Sequence, residues 1–90
     1  MTKAVRFHET GGPEVLKLED VEVGEPGANE LRVRIEAIGL NRAEVMFRTG
    51  QYLETPEFPA PIGYEAAAVV EAVGPGVDGF SVDEPVCVIP

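Results

Sequence analysis

The stretch Pro61–Val77, PIGYEAAAVVEAVGPGV, decides how the chain is read. Tyr64 to Val73 has the β-branched and small apolar content of a strand, and its flanks are unusually short: Ala66, Ala67, Ala68 and Ala72. Such side chains let another backbone or a flat ligand approach closely, and tight sheet packing calls for them equally. Gly74-Pro75-Gly76-Val77 fits a type II turn, with proline at the second position and glycine where φ must be positive. A tyrosine and a carboxylate, Tyr64 and Glu65, stand at the start of this strand.

Working outward, the same alternation of strands and Gly/Pro punctuation continues. Lys3–His8 is a first strand, stopped by Thr10-Gly11-Gly12-Pro13. Val15–Val23 alternates until Val21 and Val23 shift the pattern, which predicts a bulge or bend near Asp20. After GEPGAN, Gly24–Asn29, Leu31, Val33, Ile35 and Ala37 oppose Arg32, Arg34 and Glu36 in the clearest half-buried strand of the chain. At Asn41 the period changes. Asn41 is a favoured N-cap three positions before Glu44, which can reach back to the cap's amide. A helix Arg42–Arg48 follows, closed by Gly50 in the left-handed position, and Pro56, Pro59 and Pro61 stiffen the loop beyond it. Val86–Ile89 is the last strand. Five strands and one short helix predict a mainly β domain, a partly open barrel. A strand so near Pro90 leaves an open edge, and the chain is expected to continue in a longer protein.

Composition narrows the functions. Ninety residues at 44% hydrophobic content can bury one modest core, about 60–65% of the unfolded surface. The formal charge of −9 argues against a nucleic-acid partner, because phosphate contacts need clustered lysine and arginine. All 7 basic residues lie at or before Arg48, so the second half cannot grip a phosphate by itself. No basic-then-apolar leader and no apolar run near about 20 residues is present, so the expectation is a soluble, cytoplasmic protein without a membrane partner.

Candidate chemistries are few. The single cysteine, Cys87, has no partner for an internal disulfide and reads in VCVIP as a small buried hydrophobe. His8, Cys87 and the carboxylates show neither zinc-finger nor HExxH spacing, so no metal is expected. GPGVDG, Gly74–Gly79, opens no helix and reads as a hairpin turn rather than a phosphate loop. Asn41, Tyr52, Tyr64 and Glu65 remain as convergent polar groups in a region of small residues. Each also has a structural explanation, as helix cap, loop anchor, strand-start aromatic and strand-start tie.

The order GGPEVLKLEDV, then ELRVRIEAIGLNRAEVMFRTGQY, then PIGYEAAAVVEAVGPGVDGF resembles the N-terminal GroES-like catalytic domain of medium-chain dehydrogenases/reductases, and most of all their zinc-independent quinone oxidoreductase branch. The resemblance runs from about Ala4 to Ile89. Zinc alcohol dehydrogenases of that superfamily carry a cysteine where this chain has Asn41 and a His-Glu pair where it has Tyr64-Glu65. The resemblance therefore implies a reductase of quinones, enones or aldehydes that uses NADPH and no zinc. It assigns catalytic roles to Asn41, Tyr52 and Tyr64, with Asn41 and Tyr52 also lining the cofactor cleft; Glu65 is catalytic or structural. Three departures stand out. The family's F-x-x-G-D-x-V turn is FSVDEPV here, with Asp83 in place of glycine and Pro85 just inside the strand. Met46 stands where some relatives have tyrosine, and the Rossmann domain with its glycine fingerprint is missing from the sequence. By itself the chain is thus expected to be inactive. Two other readings are a free-standing GroES-like interaction module, self-associating through its open sheet edge, and a fragment of a zinc-type alcohol dehydrogenase.

Overall fold

The computed structural model describes residues 2–89. The elements in order are β1 Thr2–Phe7, a 3₁₀ turn Pro13–Val15, β2 Lys17–Val21, β3 Leu31–Ile38, α1 Arg42–Thr49, β4 Ala60–Pro61, β5 Ala66–Val73 and β6 Pro85–Val88. They form two three-stranded sheets, β2-β1-β4 and β3-β5-β6, in which every pair is antiparallel. The domain is mainly β with one α-helix, as expected, and among the described residues neither sheet closes into a barrel. The chain divides into two compact units, Met1–Val23 with Leu40–Gly63, and Gly24–Gly39 with Tyr64–Pro90.

In the first unit the core is small and aromatic. Phe7 is fully buried at the end of β1 and clusters with Val15 and Ala60, with Leu16, Phe47 and Ile62 packed around them. The rings of Phe47 and Phe58 meet Phe7 edge-on, with centroids 5.5 and 5.8 Å away. Such T-shaped pairs place a ring's positive edge on its neighbour's negative face. The bulge expected near Asp20 is absent: β1 and β2 pair without a shift from Thr2↔Val21 to Arg6↔Lys17. The strand stops at Val21, so the change of pattern at Val23 lies outside the ladder. Residues 13–15, which the alternation assigned partly to the strand, form the 3₁₀ turn, with Pro13 supplying the fixed φ of a first helical position.

An eight-residue helix cannot sustain itself, so the ends of α1 carry much of its stability. At the N-terminus the Asn41 backbone N–H donates to Glu44 Oε1 at 3.1 Å, the reach-back half of the expected capping box. At the C-terminus Gly50 takes φ 80°. Gln51 N–H then donates to the Met46 carbonyl at 2.8 Å and Gly50 N–H to the Phe47 carbonyl at 3.3 Å, which is a Schellman closure. The last turn is also tied to the loop after β1. Gly11 N–H donates to the Arg48 carbonyl at 3.1 Å, and Arg48 Nε returns a bond to the Gly11 carbonyl at 3.2 Å.

In the second unit β5 is the central strand. Gly74 follows it and donates to the Glu30 carbonyl at 2.8 Å. A Cβ on Gly74 would collide with the Gly27 carbonyl oxygen and stand 2.7 Å from that of Glu30, so only glycine permits this backbone approach. The predicted type II turn follows: Gly76 has φ 81°, and Val77 N–H closes on the Gly74 carbonyl at 3.4 Å. The half-buried strand foreseen at Leu31–Ala37 forms as β3, but register shifts at Arg32/Val33 and Ile35/Ala37 break its alternation. Ile35 and Ile38 are consequently exposed.

The departures from the family's last turn are accommodated locally. Asp83 adopts φ 74°, the conformation glycine would supply, and Glu84 N–H bonds the Ser81 carbonyl at 3.1 Å. Asp83 N–H donates to the Val70 carbonyl at 2.8 Å, and Val70 N–H donates to the Glu84 carbonyl at 3.0 Å. Two residues thus oppose one, as in a β-bulge. Because Glu84 faces β5, the alternation of an antiparallel ladder turns Pro85 outward, so its missing N–H costs no ladder bond. β6 then pairs β5 from Val69↔Pro85 to Ala66↔Val88. Cys87 is exposed on this outer strand, not buried as its apolar flanks suggested, because an edge strand has a neighbour on one side alone.

Two substitutions test this account of the first unit. Phe7→Ala is expected to cost about 3–5 kcal/mol in urea-unfolding free energy, since it empties the position that three aromatic rings share. Glu44 is buried, and its Oε2 has no hydrogen-bond partner among the described residues. Glu44→Gln keeps the acceptor for the Asn41 amide and is expected to be neutral or stabilising, whereas Glu44→Ala loses the cap and costs about 1–2 kcal/mol. A larger loss for Gln than for Ala would contradict the capping role.

Candidate functional site

The site residues are positioned by the two devices just described, helix capping in one unit and glycine packing in the other. Asn41 is held as the first residue of the α1 cap, with extended φ and ψ of −132° and 145°. Tyr52 follows the Gly50 closure and is 40% exposed, and Met46 on α1 is 38% exposed. One short segment, Asn41–Tyr52, therefore presents an amide, a thioether and a phenol on and just beyond a pinned helix. All three belong to the first unit.

Tyr64 and Glu65 belong to the second unit and precede β5, which starts at Ala66 and not at Tyr64. Their half-buried backbone is fixed against the end of β3: Gly39 N–H donates to the Glu65 carbonyl at 3.0 Å. The Glu65 carboxylate lies over Gly39, so that a Cβ there would stand 2.7 Å from Oε2. Gly39 is two residues before Asn41 in sequence, and no feature of the sequence by itself marked it as the platform for Glu65. Gly39, Glu65, Ala67, Cys87 and Ile89 are among the residues lining an open depression of about 310 Å³ within this unit. Its wall is apolar except for one carboxylate and one thiol.

The ion pairs among the described residues involve other side chains. Glu19 accepts from Arg6 Nε at 2.9 Å, and His8 Nε2 lies 3.0 and 2.9 Å from its two oxygens. The hydrogen bond with His8, reinforced by Arg6, holds the Glu19 carboxyl below its ordinary range. A lowered carboxylate pKa stabilises the fold at neutral pH, and that contribution is lost as pH falls through the lowered value. Arg32 bridges Glu71 at 2.9 Å and Glu25 at 3.0 Å, and both partners raise its pKa further. These guanidinium groups are committed to carboxylates. Among the described residues no three His, Cys, Asp or Glu side chains converge on one point, and no helix is long and apolar enough to cross a membrane.

Comparison with known proteins accounts for this arrangement. Residues 27–90 match the alcohol dehydrogenase GroES-like domain. The chain is 46% identical over 89 residues to a 2-haloacrylate reductase of a Burkholderia species, covering 97% of this chain and 27% of that protein. It is 45% identical over 84 residues to the quinone oxidoreductase of Pseudomonas aeruginosa, covering 93% of this chain and 26% of that one. The crystal structure of Escherichia coli quinone oxidoreductase complexed with NADPH superposes with a TM-score of 0.91 at 36% identity, over 96% of this chain and 26% of that chain. The chain thus spans about a quarter of the length of the relatives it matches. It belongs to the GroES-like domain family of the medium-chain dehydrogenases/reductases, in the quinone oxidoreductase branch.

Proposed function

We propose that this chain forms the substrate-facing wall of an NADPH-dependent reductase acting on quinones, enones or related conjugated carbonyl compounds without zinc. The observation that carries the reading is the identity of 46% and 45% with two reductases across nearly the whole chain, one named for a haloacrylate and one for quinones. NADPH is supported by its presence in the matching Escherichia coli structure.

The residues fit one end of that cofactor. Asn41, Met46 and Tyr52 offer an amide, a polarizable thioether and a half-exposed aromatic ring, groups suited to an uncharged nicotinamide. No cation follows Arg48, so the second half of the chain has no positive side chain of its own for phosphates. NADPH supplies the hydride when bound. The chain's own contribution is hydrogen bonding: in the first unit the Asn41 side-chain amide and the Tyr52 hydroxyl, and in the second unit the Tyr64 hydroxyl, are each donors of the kind that stabilise negative charge developing on a substrate oxygen. The metal-free reading rests on donor chemistry, because Asn41 and Tyr64 bring an amide and a phenol where zinc relatives have thiolate and imidazole. Glu65, with its carboxylate over Gly39, is assigned a structural role.

A chimera tests the proposal. Residues 1–90 replace the matching segment of the Pseudomonas aeruginosa quinone oxidoreductase, and NADPH oxidation is followed with a naphthoquinone. The chimera is expected to turn over without added metal and to retain no stoichiometric zinc after dialysis. Asn41→Ala should lower kcat by about 10²-fold, the cost of one oxyanion donor. A folded chimera that is inactive, or one that needs a tightly held zinc ion, would overturn the reading. The isolated 90-residue chain is expected to oxidise no NADPH.

A further inference from the structure

We propose that the buried Glu44 carboxylate is a counter-charge for the oxidised nicotinamide, favouring NADP⁺ over NADPH at the end of the cofactor that the reductase reading gives to Asn41. This inference rests on that reading and adds to it a residue that acts by its charge, without touching the cofactor. It starts from a side chain whose capping role uses only one of its two oxygens. Glu44 Oε1 accepts from the Asn41 backbone N–H at 3.1 Å, while Oε2 is buried and has no hydrogen-bond partner among the described residues. The residue is only 8% exposed, and Oε2 faces Gly63, where a Cβ would stand 3.8 Å away. No cation answers this carboxylate: the ion pairs among the described residues involve other acids. On α1 itself Arg42 is exposed, and Arg48 Nε donates to the Gly11 carbonyl.

Capping does not need this charge. A glutamine would offer the Asn41 N–H an acceptor of the same reach and spare the cost of a buried anion. The peptide dipoles at the start of α1 offset part of that cost, because the N-terminal end of a helix favours negative charge. They leave the anion without a full positive partner. A buried charge is also felt further than a surface one, since little water or salt screens it. Reduction of a conjugated carbonyl compound supplies the missing partner. Transfer of a hydride, one proton with two electrons, leaves the nicotinamide ring with one positive charge and the substrate with one negative charge. In the first unit the donors Asn41 and Tyr52 suit the negative charge, and Glu44, hydrogen-bonded to the Asn41 backbone, suits the positive one. The same anion opposes charge on the substrate oxygen. Its net effect therefore falls on the balance between the two cofactor forms, which binding reads more directly than turnover.

The chimera described above and its Glu44→Gln variant are titrated with NADPH and with NADP⁺ by isothermal calorimetry, without substrate. Glu44→Gln is expected to raise the Kd for NADP⁺ about tenfold while the Kd for NADPH stays within about twofold. Glu44→Asp keeps the charge and should bring the ratio of the two constants most of the way back. A role confined to holding Asn41 in place would weaken both forms alike, so an unchanged ratio overturns the proposal. NADPH binding with that unchanged ratio defeats this proposal alone. A folded chimera that binds neither form defeats the reductase reading and this proposal with it. Should Glu44→Gln fail to fold, the chimera with Glu44 in place is titrated with nicotinamide and with nicotinamide methylated at its ring nitrogen, a cation. The cation is expected to bind at least about fivefold more tightly, and equal or weaker binding overturns the proposal.

Discussion

A helix of eight residues has too few internal hydrogen bonds to stand by itself, and the first unit is built around that constraint. α1 is held at one end by the hydrogen bond from the Asn41 backbone N–H to Glu44, and at the other by the Gly50 closure and the two hydrogen bonds between Arg48 and Gly11. Phe47 on its inner side meets the Phe7 ring, so the same helix completes the only aromatic cluster among the described residues. Asn41 and Tyr52 lie immediately before and just after this segment. Their placement is therefore inherited from capping and from one phenylalanine contact, and a change that frays either end moves them before it unfolds the unit.

The second unit solves a different problem, that of bringing backbones close. Gly74 packs against the carbonyls of Gly27 and Glu30, and Gly39 receives the Glu65 carboxylate. In between, Ala66, Ala67 and Ala68 keep β5 thin where it pairs with both β3 and β6. The short side chains that first allowed either a ligand or tight packing are engaged in packing along part of the strand, where Ala68 is buried, while Ala67 stays exposed beside Cys87.

Much of this was legible in residue types that have one dominant local reason. Asn41 with Glu44, Gly50, and Pro75-Gly76 each demand a particular backbone state, and each takes it. Asp83 could be recognised as a residue tolerant of positive φ, and it adopts 74°. What could not be read were properties set by neighbours distant in sequence. The two register shifts of β3 depend on how it meets β5, and strict alternation of Leu31–Ala37 gave no sign of them. The exposure of Cys87 depends on β6 lying outermost, which its apolar flanks do not reveal. The burial of Glu44 depends on what surrounds α1, although its capping role was plain from spacing. Of the site residues, Asn41 carried a local signal as a cap; Tyr52, Tyr64 and Glu65 stood out as polar groups among small residues, and resemblance alone gave them roles.

The distribution of charge bears on how such a wall could act. Four of its seven basic side chains stand at carboxylates: Arg6 at Glu19, Arg32 at Glu25 and Glu71, Lys3 at Asp20 and Arg34 at Glu36. The candidate residues Asn41, Tyr52 and Tyr64 are themselves neutral donors and acceptors, with charges near them in sequence at Arg42, Glu44 and Arg48 on α1 and at Glu65 beside Tyr64. A site of this kind stabilises developing negative charge through oriented dipoles, which need no counter-charge to be desolvated and strengthen as water is excluded. Its effectiveness then depends on rigidity more than on net potential, because a hydrogen-bond donor displaced by an ångström loses most of its benefit while a point charge does not. The caps of α1 and the glycine contacts of β5 supply that rigidity, and on the proposed reading they are as much part of the chemistry as Asn41 itself.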